Sequence, residues 1–224
     1  MPHIMTSRFL NLSRRALLIG VAGVSAAVLV SDPAAAWNST EISGALPPLA
    51  FTLTRASDGK TVTAADFKGK IALLYFGYTM CPDACPTTLL NLSEMLKTLG
   101  KQADDVRVLF VTVDPDRDTL PVLKQYTEAF GPQVVGLRGT PDELAAVAKR
   151  YRVAYSVEPA ANGHGDEVTH SSALYVFDRQ GEVKLLFSGL SLEKADTTPE
   201  LADLRELVTY GAKGNWWHRL LGKL

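Results

Sequence analysis

Two nearly unbroken apolar runs constrain this chain more than any other feature: IALLYFGY, Ile71 to Tyr78, and VRVLFVTVD, Val106 to Asp114. Each has the length of a strand and neither alternates, so each must be covered on both faces. Strands covered on both faces belong to parallel or mixed sheets whose connections cross over as helices. The sequence between the runs supplies such a helix. In TTLLNLSEMLKTLG, Leu89, Leu92, Met95, Leu96 and Leu99 recur at helical spacing, and Gly100 marks the stop.

The alternation continues on both sides. FTLTR (Phe51 to Arg55) and DGKTVT form a predicted hairpin with its turn at Asp58-Gly59. TLPVLKQYTEAF is a predicted helix with Pro121 in its first turn, VVGLRG a short strand, and TPDELAAVAKRY a helix capped by Thr140 with Pro141 at its first position. A long polar connection follows from Arg152 to Thr169, of a length usually functional or floppy. HSSALYVFDRQGEVKLLFSG predicts two strands joined by a turn at Asp178 to Gly181, and the last helix runs from about Pro199 to Tyr210. This order implies an α/β domain over residues 49–212, a mixed sheet flanked by helices. With a cysteine pair after the first central strand, the arrangement is thioredoxin-like. An N-terminal β-hairpin and the long loop before the His-bearing strand are additions to it. Residues 37–48, polar and ending in Pro47-Pro48, read as a linker.

Composition narrows the class. Hydrophobic residues make up 46% of the 224, enough for a real core. Lys+Arg number 23 against 24 Asp+Glu, which gives no basic excess for nucleic acid. The first 36 residues read as an export signal. Arg8, Arg14 and Arg15 precede the apolar run Ala16 to Val30, and Ala34-x-Ala36 offers a cleavage site before Trp37. The apolar run is about 15 residues, short of the roughly 20 that span a bilayer. A cleaved signal is therefore favoured over a retained inner-membrane anchor. SRRALL (Ser13 to Leu18) resembles a twin-arginine signal, with an ordinary positive n-region as the alternative. Removal of the signal shifts the net charge from −1 to −3. The destination is an oxidising space, most simply a periplasm.

The only two cysteines, Cys81 and Cys85, lie in FGYTMCPDACPTTLL, directly after the first buried strand. Pro86 fits a helix start and places it at about Cys85 to Thr87, so Cys85 sits where exposed N–H groups favour a thiolate. Three readings compete. A structural disulfide would close a tiny loop and stabilise little. Dithiol exchange is the second, although it normally uses a spacing of two. The third is a metal site, which needs another ligand. Of His3, His164, His170 and His218, only His170 lies where a thioredoxin-like chain faces the cysteine turn. Dithiol enzymes carry a cis-proline there, and this chain has Thr169-His170-Ser171 instead. Two thiolates and an imidazole suit Cu(I), and with a weak extra donor also Cu(II). Met80 is a candidate thioether donor or a residue rimming the site. His164, in NGHGDE, is a candidate for capturing or handing over metal, or a solvated loop residue.

At this point the chain resembles the Sco/SenC family of copper-binding cytochrome c oxidase assembly proteins. The resemblance is carried by DFKGK (Asp66 to Lys70), LLYFGYTMCPDACPTTL, FVTVDPDRDT (Phe110 to Thr119) and VTHSSALYVFD (Val168 to Asp178). It implies one copper ion bound through Cys81, Cys85 and His170, and delivery of that copper to the oxidase subunit carrying the CuA site, or reduction of that subunit's cysteines. Other periplasmic copper carriers or thiol reductants are further implied partners. Asp114 and Arg117 match the family motif beside the site, in a supporting or docking role. Such a protein is a metallochaperone rather than an enzyme. The alternative is a periplasmic thiol–disulfide reductase using the Cys81/Cys85 pair. Met80 departs from the family, where relatives often have an aromatic residue or histidine, and the cleavage site departs from membrane-anchored relatives. The tail, residues 213–224, mixes Trp216, Trp217, Leu220 and Leu221 with His218, Arg219 and Lys223. It suits a membrane surface, a partner, or the domain itself.

Overall fold

The computed structural model describes the backbone of residues 37–159, 166–170 and 172–221, and the side chains of residues 37–156 and 172–209. Residues 1–36, where the sequence predicts an export signal, His164 and the tail side chains lie outside the described residues.

In chain order the strands are β1 (Thr40–Glu41), β2 (Thr52–Arg55), β3 (Thr61–Thr63), β4 (Ile71–Gly77), β5 (Val106–Thr112), β6 (Val134–Arg138), β7 (Tyr155–Pro159), β8 (Asp166–His170), β9 (Leu174–Phe177) and β10 (Val183–Phe187). The helices are α1 (Ala84–Leu99), α2 (Leu120–Glu128), α3 (Pro141–Arg150) and α4 (Thr198–Leu221). Eight strands form one sheet in the order β1-β10-β9-β4-β5-β6-β2-β3. Both apolar runs are central: β4 and β5 are parallel and in register from Ile71↔Val106 to Gly77↔Thr112. β6 adds a third parallel strand, and β9 pairs antiparallel with β4.

The two-residue period of each run divides the core between the faces. Ile71, Leu73 and Tyr75 of β4 pack with Val106, Val108 and Phe110 against α1, Leu123 of α2 and Leu204 and Leu207 of α4. Ala72, Leu74 and Phe76 pack on the other face with Leu109, Val111 and Leu137 against Leu144 and Val147 of α3. Thr140 caps α3 as expected, accepting from Glu143 N at 3.3 Å while the Glu143 carboxylate accepts from Thr140 N at 2.8 Å.

Four expectations need correction. Residues 37–48 are tied to the domain and are not a free linker. β1 pairs with β10, and the Asp203 carboxylate accepts from Asn38 N and Ser39 N at 3.0 and 2.7 Å. Burial alone would raise the Asp203 pKa, yet these donors hold it below the ordinary value. The connection before the His-bearing segment is not a plain loop. β7 and β8 form a two-stranded antiparallel ribbon of their own, in register from Tyr155↔His170 to Pro159↔Asp166. Its rungs are largely polar, so it lacks the apolar pattern by which strands were recognised. His170 therefore ends β8, and β9 begins only at Leu174. Finally, α4 continues past Tyr210 to Leu221, because Gly211 and Gly214 each cost only about 1 kcal/mol in a run of otherwise helix-compatible residues.

Candidate metal centre

β4 ends at Gly77, and the chain turns through Tyr78-Thr79-Met80-Cys81-Pro82-Asp83 into α1. The turn lies at the carboxyl ends of the parallel strands, beside the connection from β5 to α2. α1 starts at Ala84, one residue earlier than Pro86 suggests. Pro86 is then the third helical residue, a position where an N–H would have no partner within the helix, so proline's lack of one costs nothing there. Cys85 is the second. Its N–H donates to the Cys81 sulfur at 3.3 Å, while Cys81 N donates to Tyr78 O at 3.3 Å. The two cysteines are reduced thiols rather than a disulfide, Cys81 half-buried and Cys85 fully buried.

The pocket around the Cys85 sulfur is tight. A Cβ on Gly77 would fall 2.7 Å from that sulfur and 2.7 Å from Phe110 Cε2, so only glycine allows the sulfur to approach the strand end. The Cys85 thiol is held protonated. Its hydrogen bond to Cys81 is the largest cause and burial the second, outweighing the bonds that favour the thiolate. Tyr75, packed below, donates to Thr88 Oγ1 at 3.4 Å. Burial and then the neighbouring Cys85 push its phenol pKa up.

The second loop, VDPDRDT, meets the cysteine turn side on. The buried Asp114 carboxylate accepts from Arg117 Nε, and the Arg117 guanidinium stacks 5.9 Å from the Tyr78 ring centroid. The motif residues Asp114 and Arg117 thus pack beside the site. Met80 projects outward and is 66% exposed, which places it on the rim. Sequence reasoning passed over Asp118. Its carboxylate accepts from Thr79 N at 3.0 Å, Thr79 Oγ1 at 2.5 Å and Thr112 Oγ1 at 2.5 Å. The two threonines, one in the cysteine turn and one ending β5, were the available signal, but only the strand register brings them together.

His170 ends β8, four residues before Leu174 opens β9, the antiparallel neighbour of β4, and its side chain is outside the described set. Among the described residues no three His, Cys, Asp or Glu side chains gather as a metal cluster. The two described donors are soft sulfurs on one turn, a donor chemistry that fits a thiophilic ion of low coordination number. Among the described residues no helix is long and apolar enough to cross a membrane.

Comparison with known proteins places the chain. The family model described as SCO1/SenC matches residues 45–206. Protein SenC of Rhodobacter capsulatus is 35% identical over 205 residues, 88% of this chain and 88% of that protein. The SCO2-like protein of Rickettsia felis is 36% identical over 129 residues, 56% of this chain. That match spans 62% of the Rickettsia protein's own length. Among solved structures, Bradyrhizobium japonicum ScoI with copper bound is 41% identical, with a TM-score of 0.63 over 71% of this chain and 98% of that one.

Proposed function

The chain belongs to the SCO1/SenC family, and from that premise we propose that it is an exported, periplasmic copper carrier for cytochrome c oxidase assembly. In this reading one copper ion is the cargo, held by the thiolates of Cys81 and Cys85 and the imidazole of His170, and its destination is the CuA subunit. The observation that carries the reading is the turn itself. Two reduced thiols sit beyond the carboxyl end of a buried parallel strand, close enough that the Cys85 N–H is donated to the Cys81 sulfur. The copper in the 41% identical Bradyrhizobium protein supports the choice of metal. Met80 and Arg117, at the rim, are the groups an acceptor would meet first.

A second reading, thiol–disulfide reduction of the same partner, is favoured by the same pair. Cys81 is the accessible sulfur and would attack, and the buried Cys85 would resolve. The readings separate at His170. Anaerobic copper titration of wild type, His170→Ala and a variant lacking both cysteines is expected to show one copper per wild-type chain, weaker uptake without His170 and none without the cysteines. A reductase would keep its disulfide exchange rate in His170→Ala. Wild-type uptake no better than that of the variant without cysteines would sink the carrier reading.

A further inference from the structure

We propose that Asp118 is the positioning residue of this metal centre: it fixes the Thr79–Cys81 segment, and so sets the Cys81 sulfur against Cys85 in the arrangement that lets both take one ion. The proposal rests on the copper reading above.

Asp118 is fully buried, and both carboxylate oxygens are engaged. Oδ2 accepts from Thr79 N at 3.0 Å and Thr112 Oγ1 at 2.5 Å, and Oδ1 accepts from Thr79 Oγ1 at 2.5 Å. These donors come from two places only, the residue two before Cys81 and the last residue of β5. The clamp ties the cysteine turn to the last residue of the central strand β5. The Asp118 backbone is itself held from a third direction. Arg138, ending β6, donates to Pro115 O at 2.8 Å and to Asp118 O at 3.1 Å, and Asp118 N donates to Asp114 O at 3.0 Å.

Asp118 is not occupied with starting α2. Thr119 is the residue that precedes that helix, and the backbone bond from Leu123 N runs to Thr119 O. Nor do the other acids of the loop duplicate it. Asp116 is exposed, and Asp114 is paired with Arg117. With Thr79 pinned inward and Cys81 N bonded back to Tyr78 O, the residue between them, Met80, is turned out to solvent. One buried carboxylate therefore decides which side chains of the turn face the ion and which face a partner.

The test uses the full chain in three variants. Asp118→Asn replaces one of the two acceptor oxygens with an NH₂, which cannot accept from Thr79 in either orientation. Thr79→Val removes one hydroxyl at nearly constant size, and Thr79→Ser restores it. The expected result is copper affinity about 10–100-fold weaker in Asp118→Asn, as for other groups that orient metal ligands, with a shifted thiolate-to-Cu(II) absorption band. Thr79→Val should move both readouts the same way by less, and Thr79→Ser should match wild type. Unchanged affinity and band in Asp118→Asn and Thr79→Val would overturn the proposal, even if their melting temperatures fell. Should Asp118→Asn fail to fold, the Thr79→Val and Thr79→Ser pair decides alone. Wild type that binds no copper would defeat the copper reading instead. The clamp is then read in metal-free protein, from the Cys81–Cys85 disulfide equilibrium against glutathione. A loosened turn lowers the effective concentration of one sulfur at the other, so a disulfide about tenfold less favoured is expected in both clamp variants. Equal equilibrium constants there overturn it.

Discussion

The cysteine turn and the ribbon that ends in His170 are held in place by opposite means. The turn hangs from β4 and β5, paired over seven in-register rungs and buried on both faces, and is clamped through Asp118. The ribbon, β7 with β8, has five rungs and, among the described residues, pairs only with itself. The two cysteines are thus preorganised by the core, whereas His170 ends a two-stranded ribbon, an element of low local stability. On the copper reading proposed above, completing the shell around the ion is largely an ordering step of the ribbon.

Amide hydrogen exchange is the sharpest way to break this contrast. In metal-free protein the amides of Leu73 and Leu74 are expected to exchange about a thousandfold or more slowly than those of Val157 and Val168. Copper loading should raise protection along the ribbon and leave β4 unchanged. Equal protection in the two regions would show that the ribbon is as firmly built as the core. The next largest effect belongs to Gly77. A methyl group there meets the Cys85 sulfur and Phe110 at 2.7 Å, both fully buried. Gly77→Ala is therefore expected to cost about 1–3 kcal/mol by overpacking. That lowers the melting temperature by about 2–4 °C per kcal/mol in a chain of this size. An unchanged melting curve would mean that the turn has slack the geometry denies.

The same contrast explains what the sequence discloses and what it hides. β4, β5 and α1 were legible because burial on both faces, or on one helical stripe, leaves a periodic signature in Ile71–Gly77, Val106–Thr112 and Leu89–Leu99. α3 was legible because Thr140, Pro141 and Glu143 carry its start locally. The ribbon was not, since the rungs from Tyr155↔His170 to Pro159↔Asp166 hold few apolar residues, and polarity reads as loop. The cysteines and His170 stood out by residue type and position. Asp118 did not, because Asp114, Asp116 and Asp118 look alike in VDPDRD. Only folding decides that the first pairs with Arg117, the second faces water and the third reaches Thr79.

The buried side of the centre should also titrate against stability. The Cys85 thiol, with its pKa raised by the bond to Cys81 and by burial, stays protonated when the chain is folded and ionises when it is unfolded. Its contribution is fully present below the ordinary thiol pKa of about 8.5 and is lost as pH rises above it. Urea unfolding of reduced, metal-free protein between pH 7 and 9.5 should therefore show stability falling, by up to about 1.4 kcal/mol per pH unit at the upper end. Cys85→Ser should flatten that slope. A slope that survives the substitution would assign the proton to another group.

The smallest effect is expected at Met80, the residue of the turn that belongs to neither region's packing. Its side chain is 66% exposed, so Met80→Leu removes the thioether while keeping volume and should change stability by no more than about 0.5 kcal/mol. If the clamp at Thr79 turns Met80 away from the sulfurs, copper affinity should also match wild type, and only the rate of copper transfer to an acceptor domain should respond. A tenfold loss of affinity in Met80→Leu would instead make the thioether a ligand. The Thr79–Cys81 segment would then have to rotate on metal binding, and the rigid side of the centre would be the one that moves.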